Sequence, residues 1–217
     1  MRKLFSLIVL TICFTATFYA QPKAKPTPPK RPKAEVKPQP AVDFGEIDNR
    51  SYTNFFFGFK LTFPADWFVN TIENDEDLKK VKINFDVETP RNTKNILNAF
   101  NFQEKLGINS VFRISTEDLD DFPNINNAVD YFDAMRQTFK VVKLPQNFKY
   151  SETKAEKLGE MQFAYLDISS AKGTKRLYAT VANGFAVVFT LTYEKDKDLQ
   201  EMKQILAEGD FEYKNKQ

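Results

Sequence analysis

The sequence predicts an α+β fold built on an antiparallel β-sheet, and three observations indicate it. Strand-like segments follow one another at hairpin spacing late in the chain. Two amphipathic helices are separated in sequence from those strands, and 22 phenylalanines among 217 residues supply a large apolar core. Because consecutive hairpins require antiparallel pairing, and because the helices do not alternate with the strands, the pattern favours a layered α+β fold over βαβ units.

The first strand-like run covers residues 55–63 and ends at a turn formed by residues 64–66. Trp67 begins a continuation of the strand after this turn. Further apolar runs at residues 96–102 and 111–114 indicate two more strands. An aromatic residue directly after a β-turn is more typical of a core than of a ligand platform, so we expect Trp67 to be buried.

The stretch 75–86 fits two structures. Val81, Ile83 and Phe85 alternate with polar residues, which favours a strand. Leu78, Val81 and Phe85 also fall on one face of a helix that would begin in an acidic cap. The residues themselves leave both interpretations open.

Two helices are clearly indicated. Apolar residues recur at helical spacing from Ala128 to Val142, after an Asn126 or Asn127 cap, and Pro145 stops that helix. A second amphipathic stretch runs from about residue 196 to residue 208, with Gly209 just past its end.

A β-meander is predicted between the two helices. Residues 163–168 and 176–182 flank a turn at residues 171–174. Asn183-Gly184, a strong hairpin signal, then leads into a strand over residues 185–192.

Composition excludes several kinds of chemistry. The chain has no histidine and one cysteine, Cys13. It therefore lacks His-based acid–base catalysis, His-ligated metal sites and intrachain disulfides. We expect no cofactor and no metal, and the net charge of +2 by itself names no partner.

The first 20 residues have the layout of a secretory signal peptide. Arg2 and Lys3 are followed by sixteen residues without a charge, and Ala20 stands at a cleavage point. This predicts a secreted or periplasmic protein. Phe18 occupies a position where a small residue is preferred, so the alternative is an uncleaved N-terminal membrane anchor. The run of sixteen uncharged residues is slightly shorter than the about 20 residues that span a bilayer.

Residues 21–42 form a basic, proline-rich linker. Seven of the eleven prolines lie there, and six basic residues stand against the single acid Glu35. Such a segment stays disordered and extended because it has almost nothing to bury. It is a spacer, a weak tether to an anionic envelope surface, or a ligand for a polyproline-binding groove. The residues that would contact an anionic surface are Lys23, Lys25, Lys30, Arg31, Lys33 and Lys37.

Residues 43–217 are expected to form a single globular domain. Its 23 basic and 28 acidic residues give a net charge near −5, and 175 residues suffice to bury a core. An acidic domain without a basic patch argues against a nucleic-acid partner.

Two motifs that suggest chemistry have simpler explanations. Ser169 and Lys172 have the S-x-x-K spacing of serine acylases, but they fall in a predicted β-turn and the companion motif is absent. The acidic cluster of Glu117, Asp118, Asp120 and Asp121 lacks the glycine and the alternation of a calcium loop, so cap and loop charges are expected there.

The opening of the domain resembles the PsbP-like domains. The residues that carry the resemblance stand in the order Tyr52-x-Asn54, Phe57-Gly58-Phe59 and Pro64-x-x-Trp67. A middle helix, a late meander and a terminal helix followed by a strand at residues 211–213 agree with it. The resemblance covers residues 43–213 and is closest to uncharacterised exported bacterial members.

The resemblance implies an antiparallel sheet flanked by helices on both faces, an α-β-α sandwich, with a helix rather than a strand at residues 75–86. It also implies a non-enzymatic binding or assembly module. The motif residues Tyr52, Asn54, Gly58, Phe59, Pro64 and Trp67 are expected to be structural, and without histidine no metal-binding position of the family carries over.

The expected function is therefore an exported, non-catalytic and monomeric module that binds a protein or another component of the cell envelope. The alternatives are a carboxylate-based hydrolase and a structural envelope protein without a defined ligand.

We expect the exported chain to begin near Gln21, because Ala20 provides the small residue that signal peptidases require. N-terminal sequencing of the protein recovered from its host tests this. An intact Met1 in the membrane fraction would instead support the anchor.

Overall fold

The structure is a computed structural model and describes residues 43–71, 93–103, 107–171 and 173–212. The predicted signal peptide (1–20), the predicted linker (21–42) and the ambiguous stretch 75–86 lie outside these ranges. The strands in the described part are β1 (Glu46–Asp48), β2 (Ser51–Asn54), β3 (Phe59–Thr62), β4 (Trp67–Thr71), β5 (Thr93–Gln103), β6 (Gly107–Asp118), β7 (Lys149–Tyr150), β8 (Lys154–Leu158), β9 (Met161–Ser170), β10 (Gly173–Ala182) and β11 (Phe185–Tyr193). The helices are α1 (Ala128–Val141) and α2 (Asp196–Ala207).

Two antiparallel sheets contain the described strands. The larger sheet has the order β4-β5-β6-β11-β10-β9-β7, with β8 pairing on β9, and the smaller sheet has the order β1-β2-β3. The β9–β10–β11 meander confirms the hairpins expected from the sequence. Asn183 and Gly184 both have positive φ, at 53° and 82°, as a tight turn between right-twisted strands requires.

The large sheet is buried on both faces. Along β11, Val187, Phe189 and Leu191 belong to one hydrophobic cluster, whereas Ala186 and Val188 belong to another. This alternation is the consequence of strand geometry, in which successive side chains point to opposite faces. The sheet therefore separates two cores.

One helix packs into each core. Helix α1 contributes Tyr131 and Phe132 to the cluster that contains Val188. Helix α2 contributes Met202 and Leu206 to the cluster that contains Phe189, which β2 and β3 of the small sheet also line. The described residues thus form a mostly antiparallel α+β fold. They include a single helix on each face rather than a helical layer, so the full sandwich remains a prediction.

The ends of α1 follow from its sequence. The Asn127 side chain accepts hydrogen bonds from the backbone N–H groups of Val129 and Asp130, at 2.9 and 3.0 Å. This N-cap satisfies two of the donors that the first turn leaves without partners. The helix ends at Val141, before Pro145, as expected.

The prediction of one strand over residues 55–63 is wrong in its first half. Residues 55–58 form a turn between β2 and β3. The Asn54 side chain accepts from the Phe57 N–H at 2.9 Å, and Gly58 has a φ of 72°. A local side-chain bond and a left-handed glycine therefore override the β propensity of the aromatic run.

Two further expectations about strands are wrong. Phe211 and Glu212 form a bend, not a strand; only Asp210 bridges to Lys60. Glu117 was expected in a loop but lies in β6, because β6 pairs with β11 as far as Asp118 opposite Phe185.

Trp67 is buried at the start of β4. Its side chain is 4% exposed, its ring centroid lies 6.1 Å from that of Phe63, and its Nε1–H donates to Glu201 Oε1 at 3.1 Å.

Neither helix in the ranges that the structure describes is long and apolar enough to span a bilayer.

We expect Trp67→Ala to lower the free energy of unfolding by about 3–5 kcal/mol, because it removes a large buried side chain and leaves a cavity. Trp67→Phe, which keeps a ring and loses the hydrogen bond to Glu201, should cost clearly less, with about 1 kcal/mol from the bond. Urea unfolding followed by far-UV circular dichroism measures both. An unchanged transition for Trp67→Ala would contradict the burial.

Candidate functional site

The motif residues of the sequence resemblance lie in the interior around the small sheet. Tyr52, Asn54, Phe59 and Trp67 are at most 4% exposed. The Tyr52 hydroxyl donates to the Phe44 carbonyl at 2.9 Å, and burial raises the pKa of that hydroxyl. These residues hold the domain together and form no accessible site. Gly58 lies in the β2–β3 turn, and Pro64 in the turn before β4.

The two motifs considered for chemistry are also structural. Ser169 and Ser170 pair with Thr174 and Gly173 in the β9–β10 hairpin, and Lys172 lies outside the described residues. In the acidic cluster, Glu117 accepts a hydrogen bond from the Tyr131 hydroxyl at 2.7 Å. No group of three or more acidic or cysteine side chains in the described ranges is arranged to hold a metal ion.

A network of charged side chains lies on the α2 side of the sheet, and the sequence analysis missed it. Arg176 donates to both carboxylate oxygens of Asp167, at 2.7 and 3.0 Å, and its Cζ lies 4.4 Å from the centroid of the Tyr165 ring. Glu156 accepts from the Tyr178 hydroxyl at 2.6 Å and from Lys203 of α2. The sequence feature that could have revealed the Arg176–Asp167 pair is the β9–β10 hairpin, because its register places residue 176 opposite residue 167.

The charges in this network stabilise one another. Burial alone would raise the pKa of Glu156, but hydrogen bonds from Lys203 and Tyr178 and the charge of Arg176 outweigh it and lower that pKa. Burial likewise disfavours the Arg176 cation, yet the bonds to Asp167 raise the pKa of its guanidinium. Each ion therefore has a partner, and the network joins β8, β9, β10 and α2.

A cleft of about 430 Å³ lies between the start of α2 and the strands β5 and β6. Asp66, Asp198 and Glu201 line it. Asp66 accepts from Asn101 at 3.0 Å and Glu201 accepts from Trp67, whereas one carboxylate oxygen of Asp198 is buried without a partner in the described part of the chain. Among the described residues, this cleft brings three carboxylates together, so it is where we test the alternative of a carboxylate-based hydrolase.

The most unusual surface lies where α1 ends and β7 begins. We call it the α1–β7 patch and define it as Lys140, Val141, Val142 and Lys143. Val141 is 82% exposed and Val142 is 47% exposed. Lys140 and Lys143 are exposed as well, and residues 134–151 contain no acidic residue. Lys149 of β7 is not part of the patch, because its neighbour Tyr150 packs on Phe139 of α1 and successive strand residues point to opposite faces of the sheet.

The patch rests on a packed aromatic base. The ring centroid of Phe139 lies 5.3 Å from that of Phe148 and 5.1 Å from that of Tyr150. Lys149 and Tyr150 pair with Ser169 and Ile168 of β9, which fixes the end of the loop to the sheet. The exposed valines and lysines thus stand on a surface that the fold holds in place.

An ion-pair cluster ties α1 to the segment after β7. Arg136 binds Asp133 at 3.2 Å and also Glu152, and the Thr153 hydroxyl donates to Asp133 at 2.8 Å. The charge of Arg136 is therefore neutralised within the domain. Lys140 and Lys143 alone give the α1–β7 patch its positive charge.

Comparison with known proteins identifies no family. No family model and no curated protein matches this chain. The backbone is similar to a crystal structure from Bacteroides thetaiotaomicron VPI-5482, with 18% identity and a TM-score of 0.40 over 76% of this chain and 48% of that one. It is also similar to the solution structure of cyanobacterial PsbP (CyanoP) from Synechocystis sp. PCC 6803, with 10% identity and a TM-score of 0.47 over 82% of this chain and 99% of that one. The chain spans about half the length of the Bacteroides structure.

We expect Glu156→Gln to lower the free energy of unfolding at neutral pH. This loss should shrink as the pH falls below 4.5, which is the ordinary pKa of a glutamate side chain. The lowered pKa of Glu156 means that its contribution is present above 4.5 and is lost as the pH falls through the pKa of the folded state.

Denaturant unfolding between neutral and acid pH measures this loss. Glu160→Gln is the control, because Glu160 is fully exposed and its ion pair in the described part of the chain is a surface contact with Lys157 at 3.3 Å. Its stability difference should stay small at every pH. A Glu156→Gln difference that does not change with pH would contradict the assignment.

Proposed function

We propose that this chain is an exported, non-catalytic binding module of the cell envelope with a PsbP-like domain, and that the α1–β7 patch is its binding surface. The observation that carries the proposal is the exposure of Val141 and Val142 between Lys140 and Lys143 on a domain that is otherwise acidic. An exposed apolar group with a polar rim is typical of an interaction site.

The composition of the patch favours binding over catalysis. It contains no carboxylate, hydroxyl or thiol, and lysine and valine supply charge attraction and apolar contact. The charged groups that do lie close together, around Arg176, are already paired with one another. Their arrangement supports a role in stability.

The N-terminal region supports the envelope location. The signal-like segment would export the chain, and the basic linker would then act as a spacer between the domain and its point of attachment. Its positive charge has the same sign as that of the α1–β7 patch, so both favour an anionic component of the envelope.

We expect a fluorophore at residue 141 to report binding to the envelope. Val141→Cys in a Cys13→Ser background carries an environment-sensitive label, and its emission should shift to the blue when isolated envelopes of the host are added. Glu160→Cys is the control, because Glu160 lies just before β9, far from the end of that strand that pairs with β7 through Ser169. Eight residues separate Met161 from Ser169, which places these two ends of β9 about 27 Å apart.

An unchanged emission at residue 141, or an equal shift at residue 160, would contradict the proposal. Asp198→Asn and Glu201→Gln test the hydrolase alternative, because both acids line the cleft and neither belongs to the patch. If the domain is a binding module, the shift at residue 141 stays the same in both variants.

A further inference from the structure

We propose that the α1–β7 patch binds the surface of an anionic phospholipid bilayer. This inference rests on the proposed function and names the chemistry of its partner. The patch combines two elements that a bilayer surface recognises, namely apolar side chains that enter the boundary between headgroups and acyl chains, and lysines that bind anionic headgroups.

The apolar element is the pair of valines at the end of α1. Val141 is 82% exposed and Val142 is 47% exposed, and no other large apolar side chain in the described ranges is as exposed as Val141. Val142 closes the helix by donating its N–H to the Thr138 carbonyl at 3.1 Å. The backbone donor of Val142 is therefore satisfied although the two side chains are exposed.

The charged element is the pair of lysines on either side of the valines. Lys140 lies in the last turn of α1, and Lys143 follows in the loop. Two other basic residues lie within 134–151. Arg136 is occupied by Asp133 and Glu152, and Lys149 points to the sheet face away from α1. Each lysine near an anionic membrane contributes up to about fivefold in affinity.

The charge of the whole domain orients the contact. Residues 43–217 carry a net charge near −5, so most of their surface is repelled by an anionic bilayer. The α1–β7 patch is the place at which attraction and apolar contact coincide. The packed rings of Phe139, Phe148 and Tyr150 beneath it keep the ordering cost low, because the loop is already held before it binds.

The valines distinguish a bilayer from an anionic wall polymer. An anionic wall polymer attracts lysines equally well but offers no apolar phase to a valine side chain. A bilayer binds both the lysines and the valines, because burial of apolar groups in the interface adds to the electrostatic attraction. The combination therefore favours lipid.

The test is cosedimentation of the protein, purified as its host processes it, with vesicles of phosphatidylglycerol and phosphatidylcholine or of phosphatidylcholine alone. Three variants are compared. The first is Lys140→Gln with Lys143→Gln, the second is Val141→Ser with Val142→Ser, and the third is the control Lys154→Gln with Lys157→Gln. The control removes the same charge from two exposed lysines elsewhere on the domain.

We expect the patch lysine variant to lose about tenfold or more in affinity for the anionic vesicles and the valine variant about fivefold. The control should change by less than about twofold, and the neutral vesicles should bind weakly. Raising the salt from about 0.1 M to about 1 M, which shortens the Debye length from about 10 Å to about 3 Å, should weaken binding by the unchanged protein. All positions changed are exposed, so thermal unfolding should be the same in every variant.

Equal losses in the patch lysine variant and the control would overturn the inference, because attraction would then follow total charge. Binding that needs the lysines and not the valines would also overturn it and would indicate an anionic polymer. If the protein does not cosediment with the vesicles but the label at residue 141 still responds to envelopes, the proposed function stands and its partner is not lipid. If neither responds, the proposed function fails as well.

Discussion

The register of β11 is the constraint on which the rest of the fold depends. This strand pairs along its whole length with β6 on one side and β10 on the other. Its side chains alternate between two separate hydrophobic cores, with Phe189 in one and Val188 in the other. A slip of one residue would exchange the two sets. The docking of α1 on one face and of α2 on the other follows from this one alternation.

The same register creates the charge network around Arg176. In the β9–β10 hairpin, Arg176 stands directly opposite Asp167 and Tyr178 stands directly opposite Tyr165. Cross-strand neighbours of this kind are close enough to bond. Lys203 of α2 and Glu156 of β8 complete the network, so it links the helix to the hairpin. Removing one partner would leave a half-buried ion without compensation, which costs more than the pair contributes.

The α1–β7 patch has a different relation to the fold. Helix α1 must end before Pro145, and the chain must then return to pair with β9. The aromatic rings of Phe139, Phe148 and Tyr150 fill the space beneath that return, while the side chains above them stay in solvent. Val141 and Val142 bury little surface within the domain, which leaves them available for the external contact proposed above.

The sequence by itself determined the elements whose signals are local. The Asn127 cap, the Asn183-Gly184 turn and the apolar periodicity of both helices predict structure correctly, because each depends on bonds or spacings within a few residues. Tertiary structure alone decided that Lys203 lies beside Glu156 and that the valines after α1 stay exposed. Those outcomes depend on strand register and on what packs against each face, and neither is encoded in any short stretch of the chain.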